Sequence, residues 1–145
     1  STIFTLQNST FTGNVTSNSG DAISTGDNSA LNLLTNSLFY NHTGSSECET
    51  LGLGSMSAVN NMSDDDESGC HDGSFSAFDA NFITTLSDNG GPTMTHALLM
   101  GSQAIDAGDA NGTLTDQRGV PALGARDIGA FEYRNPEYIF ANWFE

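Results

Sequence analysis

His96 stands in the middle of "LSDNGGPTMTHALLMGSQAIDAG" (residues 86–108), and an imidazole is the side chain best suited to acid–base work near neutral pH. Catalysis would need a partner, and no Ser or Cys nucleophile motif accompanies it. A structural histidine, satisfied by its neighbours, is the expectation. Asp106, Asp116, Asp127 and Glu132 lie close in sequence to Arg118 and Arg126. This mixture suits ion pairs that pin irregular loops. Lyase chemistry on an acidic sugar needs a base beside the proton to be removed and usually Ca²⁺ on carboxylates. The chain has no Lys, and its three Arg all follow residue 117. A glycosidase needs two carboxylates about 5–10 Å apart. Asp64, Asp65 and Asp66 supply carboxylates, but consecutive loop residues cannot all face one sugar. A polysaccharide-active enzyme is therefore the third reading, and no catalytic residue is assigned. The same three Asp are the metal-ligand candidates, with Ca²⁺ the only cofactor considered. The run "DAGDANGTLTD" (106–116) is also oxygen-rich. Neither has the alternating ligand spacing of an EF-hand loop, so a solvated acidic loop without a cofactor is expected.

These residues need a scaffold, and composition indicates its class. The chain has 145 residues, 37% of them apolar and 16 of them Gly, with many Ser, Thr and Asn. That suits one domain of short strands and many turns. Only Ala97–Met100 hints at a helical turn. A formal net charge of −15 repels phosphate backbones and excludes nucleic acid as a partner. No apolar run approaches the roughly 18 residues of a membrane-spanning helix. No signal peptide opens the sequence, so Ser1 in a secreted protein would be a processed start. Cys48 and Cys70 lack companion ligands for zinc; a disulfide stapling a polar loop is expected, two buried thiols being the alternative. Sequons begin at Asn8, Asn14, Asn41, Asn61 and Asn111, all candidate glycosylation sites.

A shift of 27 residues aligns "LQNSTFTGNVT" with "LLTNSLFYNHT", placing Leu6 on Leu33, Phe11 on Leu38 and Asn14 on Asn41. A repeat of this length with strand-like content reads as coils of a parallel β-helix. Ala22–Ser24 and Ala30–Leu33 supply further strands. Stacking would set Asn14 beneath Asn41, either as an inward amide file or as an outward pair of glycosylated Asn. Asn89-Gly90-Gly91-Pro92 makes a tight turn. Met94, Ala97, Leu98, Leu99 and Ile105 are apolar enough to seal the end of the core.

From Cys48 to Tyr133 the chain resembles the C-terminal part of surface β-helix proteins carrying a choice-of-anchor Q domain. The motifs are "NMSDDDESGC" (61–70), "LSDNGGPTMTHALLMGSQAIDAG" and "TDQRGVPALGARDIGAFEY" (115–133), in that order. Gln103, Ala122-Leu123 and Arg126 depart from that pattern, the last removing a cysteine. The resemblance implies a secreted, all-β, right-handed parallel β-helix of few coils, closed by an irregular C-terminal segment. It implies no catalytic residues and no ligand. The expected division is coils in 1–47, a disulfide loop and closing segment in 48–133, and an aromatic tail in 134–145.

The first strand, Ile3, Phe4 and Leu6, would leave a pairing edge and apolar core open, and such edges template pairing with another chain. Either the chain is part of a longer protein, or another subunit covers the end. The tail carries Tyr138, Phe140, Trp143 and Phe144, residues that favour interfaces. The expected function is an extracellular structural subunit of a surface filament, its partner another copy joined head to tail. The alternative is an adhesin or binding module from a longer β-helix, engaging other cell-surface proteins.

Overall fold

The computed structural model of the protein describes residues 3–17, 20–26, 28–44, 46–51, 54–64, 69–70, 76–110 and 112–135. Among them the fold is all-β and the strands are short. They are β1 (Ile3–Gln7), β2 (Thr10–Thr12), β3 (Ile23–Thr25), β4 (Ala30–Thr35), β5 (Leu38–Tyr40), β6 (Cys48–Thr50), β7 (Ser55–Val59), β8 (Met62–Ser63) and β9 (Ser76–Ala77). Every pairing between them is parallel, in sheets ordered β1-β4-β7, β2-β5-β8-β9 and β3-β6. From β1 to β8 the strands thus fall on the three sheets in turn, whereas β9 joins the same sheet as β8. The stack continues to Ala77, past the boundary expected at residue 47. Ala97–Met100 is not helical: Leu98 bridges Ile83, and the 3₁₀ turn seen among the described residues falls at Ala80–Phe82, capped by Asp79.

The repeat is real, but its register differs from the 27-residue alignment. Leu6 pairs with Leu34, not Leu33, and Phe11 pairs with Phe39, not Leu38, an offset of 28 (34 − 6). The cause is a surplus residue: Phe4 faces Leu31 and Thr5 faces Leu33, so Asn32 is left over. One residue of slip turns side chains to the opposite face. Phe39 therefore points into the stack, its ring lying flat on Phe11 with centroids 4.9 Å apart. Leu38 and Tyr40 point out.

This alternation makes two cores. Leu31, Leu34, Phe39, Cys48 and Cys70 fill the inside of the stack, with Leu6, Phe11, Ile23 and Met56 against them. Leu38, Tyr40 and Met62, on the outer face of the β5–β8 pair, pack against Phe78, Leu98, Ala104, Ile128 and Phe131. The closing segment is thus a clasp on the flank. Of the residues expected to seal the core end, Ala97, Leu98 and Ile105 join this flank core, whereas Met94 and Leu99 are exposed. The Cys48–Cys70 disulfide is formed inside the stack.

Candidate functional site

Clustered polar groups occur in three places, and the first two are consumed by structure. In the clasp, Asp116 is the hub. One carboxylate oxygen accepts the backbone N–H groups of Arg118 and Val120; the other accepts the N–H of Glu132 and the Arg118 guanidinium at 2.7–2.8 Å. Arg118 also donates to the carbonyls of Asn89 and Glu132 and lies 3.6 Å from the Phe131 ring centroid. Gly91 is needed there, because a Cβ would meet the Arg118 Cα at 2.8 Å. Asp127 accepts the N–H groups of Asp106 and Tyr133, and Glu132 accepts that of Asp127.

Charge is costly in so enclosed a place. Burial pushes Glu132 up to about 7, with the Asp127 and Asp116 charges adding and the Asp127 N–H and Arg126 opposing. Burial likewise raises Asp127, against its two N–H donors. Burial acts to raise Asp116 too, but its backbone donors and Arg118 outweigh it and hold it below the usual carboxylate range. These carboxylates anchor loops, but mainly through backbone N–H groups and not through the expected ion pairs, of which Arg118–Asp116 is the one seen among the described residues. Arg126 serves the same end without an ion pair, donating to the carbonyls of Thr113 and Ala110.

The second cluster is a file of asparagines at the corner between the first two sheets. Asn8, Asn36 and Asn60 all adopt the left-handed conformation, at φ of 44°, 51° and 56°, which Asn tolerates better than most residues. Asn60 donates to the Asn36 side-chain oxygen at 3.0 Å and to the Ala107 carbonyl. Asn36, fully buried, exchanges hydrogen bonds with the Asp109 backbone. Asn8 donates to the Asp127 carbonyl and accepts the N–H of Thr113. A file of amides exists, but it faces the closing segment and lies elsewhere than the 27-residue register set it. Asn14 and Asn41 are exposed, and the backbone N–H of Asn14 donates to His42. The signal for the true file is "QNSTF" recurring as "TNSLF" 28 residues on.

The sequons separate accordingly. Asn61 is buried, and its amide nitrogen donates to both Leu34 and Cys70 carbonyls, so a glycan there is incompatible with the packing. A glycan on Asn8 would compete with its bond to Asp127. Asn14 and Asn41 are open to solvent. Asn111 lies outside the described residues, as do Asp65, Asp66, Tyr138, Phe140, Trp143 and Phe144. Asp64 is exposed and accepts the backbone N–H of Asn41 at 2.8 Å.

The third place is a cleft of about 430 Å³ between the outer face of β2–β5 and the clasp, lined by Thr12, Tyr40, Asn41, Asp64, Thr84, Leu86 and His96 among others. The Tyr40 hydroxyl lies 2.9 Å from His96 Nδ1, which is also 2.9 Å from the Thr84 carbonyl. Burial raises the Tyr40 phenol, a Thr12 hydrogen bond opposing and the Asp64 charge adding. The expected structural role of His96 agrees with these two contacts.

At the stack's edge, Phe4 on β1 is 56% exposed and borders a recess of about 320 Å³ with Ile23, Ala30 and Leu31. Leu6, grouped with Phe4 in the expected assembly surface, packs into the stack instead; for Ile3 only the backbone is described. No helix among the described residues is long and apolar enough to cross a membrane. Compared with known proteins, the chain matches no family model, no curated protein and no solved structure.

Proposed function

We propose that the chain is a short right-handed parallel β-helix of an extracellular surface protein, akin to those with a choice-of-anchor Q domain, and that it serves as a structural subunit. It stacks head to tail on further copies through the edge formed by β1, β2 and β3. The observation that carries this reading is Phe4, an aromatic left half in water on an edge strand beside an apolar recess. Strand edges with apolar side chains pair readily with another chain. Parallel coils supply such a partner, because each pass already pairs this way with the next. The disulfide supports an oxidising, extracellular setting. The aromatic tail is the element that, in this reading, meets the neighbour's edge.

The same edge would equally accept an upstream coil of a longer chain, which is the adhesin reading. Electron microscopy and sedimentation of the intact chain separate the two. Filaments or concentration-dependent oligomers, abolished by Phe4→Glu, are expected. A chain that stays monomeric at high concentration overturns the subunit reading and leaves the longer β-helix.

A further inference from the structure

We propose that the cleft between Tyr40 and His96 is a binding site for a neutral saccharide unit. His96 is held so that one nitrogen is spent and the other is offered. The Thr84 carbonyl can only accept, so at 2.9 Å the Nδ1 atom must carry the proton. Nε2 makes no hydrogen bond to the described residues, and the ring lines the cleft. The Tyr40 oxygen, 2.9 Å from the same Nδ1–H, accepts from it, and Thr12 bonds to it as well. Of the two hydroxyl hydrogens on Tyr40 and Thr12, one serves the bond between them and the other is left to donate to an occupant of the cleft.

Asp64 adds an acceptor. One of its oxygens takes the Asn41 N–H, and the other has no partner among the described residues. The exposed Asn41 side chain adds an amide, with both a donor and an acceptor. Donors and acceptors thus alternate over one small surface, an arrangement that matches neighbouring hydroxyls on a sugar ring. Ile83 and Leu86 provide the apolar wall against which the C–H face of such a ring packs. No Lys or Arg lines the cleft, and with Asp64 at its side and the chain's net charge of −15 it repels uronates and phosphates. The volume of about 430 Å³ falls in the range of small-ligand sites.

This site lies on the flank, apart from the stacking edge, so its test is independent of assembly. The probes are neutral methyl hexopyranosides and disaccharides, with hexuronates beside them, titrated into the intact disulfide-bonded chain and followed by saturation-transfer NMR and calorimetry. At least one neutral saccharide should bind saturably at millimolar concentration, and the Phe4→Glu protein should bind it equally well. Tyr40→Phe and Asp64→Asn, which preserve the ring and the acceptor for Asn41, should each weaken binding about tenfold while the disulfide-bonded fold is retained. Failure of every neutral saccharide to saturate by ~50 mM overturns the proposal. So does tighter binding of uronates, or affinity that neither variant alters.

Discussion

In the stack, the described residues from 3 to 77, hydrogen bonds run between the backbones of neighbouring strands, and side chains are left free to fill a core. In the clasp, residues 79–135, regular pairing among the described residues is reduced to four bridges such as Ser87 with Thr95 and Gly108 with Arg126. Side chains must there do what a sheet does by itself: Asp116, Asp127, Glu132, Arg118 and Arg126 bond to backbone groups that no strand satisfies. Polar residues therefore have opposite meanings in the two regions. Thr and Ser on the stack are strand and turn formers, whereas an acidic residue in the clasp is a substitute for secondary structure. A cluster of titrating groups, which ordinarily points to a functional site, marks in the clasp the cost of an irregular backbone. The asparagine file is where the two regions are joined.

This contrast predicts where the chain breaks. Asp116→Ala leaves Arg118 without its counter-ion and three part-buried N–H groups unpaired, and should cost about 3–5 kcal/mol. Hydrogen exchange should show the loss confined to residues 79–135 while β4 and β5 stay protected. Reducing the Cys48–Cys70 bond acts on the other region. With a separation of 22 residues, loop-closure entropy predicts a loss of about 3 kcal/mol in denaturant melts, with β6 opening first. Asn36→Gly keeps the left-handed backbone but deletes the amide that holds Asp109, and should cost about 2–3 kcal/mol. Its signature is release of the clasp from an intact stack, read as clasp-only exchange.

The smallest effect is one of pH. Glu132 in the folded chain keeps its proton to about 7, whereas the unfolded chain gives it up near the ordinary glutamate value. The folded state thus binds more protons between these limits, and stability falls as pH rises through that window. Asp127, also raised, acts in the same direction. Asp116, lowered, acts oppositely: its contribution is present above the ordinary aspartate value and lost in stronger acid. Stability should therefore decline by about 2 kcal/mol from pH 5 to pH 8. Glu132→Gln should flatten that slope in chemical melts; an unchanged slope assigns it to other groups.

The sequence carried the fold class and hid the register. Short apolar spacings with Gly and Asn punctuation identified parallel strands, and the Cys pair identified the staple. Leu33 misled the alignment, since it imitates the interior leucine while the surplus Asn32 moves that role to Leu34. "QNSTF" and "TNSLF" contained the true offset, but Asn in a turn has several common uses. The flank core was not legible, because Leu38-Phe39-Tyr40 looks like a continuous apolar strand until something covers its outer face. Tyr40 and His96 lie 56 positions apart, and only that packing brings them together.

The proposed role rests on the open edge of β1, and hydrogen exchange on the intact chain tests it most directly. The amides of residues 3–7 that do not bond to β4 should exchange quickly in dilute solution and slow markedly as concentration rises, with Phe4→Glu abolishing the change. Concentration-dependent protection that appears in the clasp but not in β1, or protection that appears nowhere, contradicts the account.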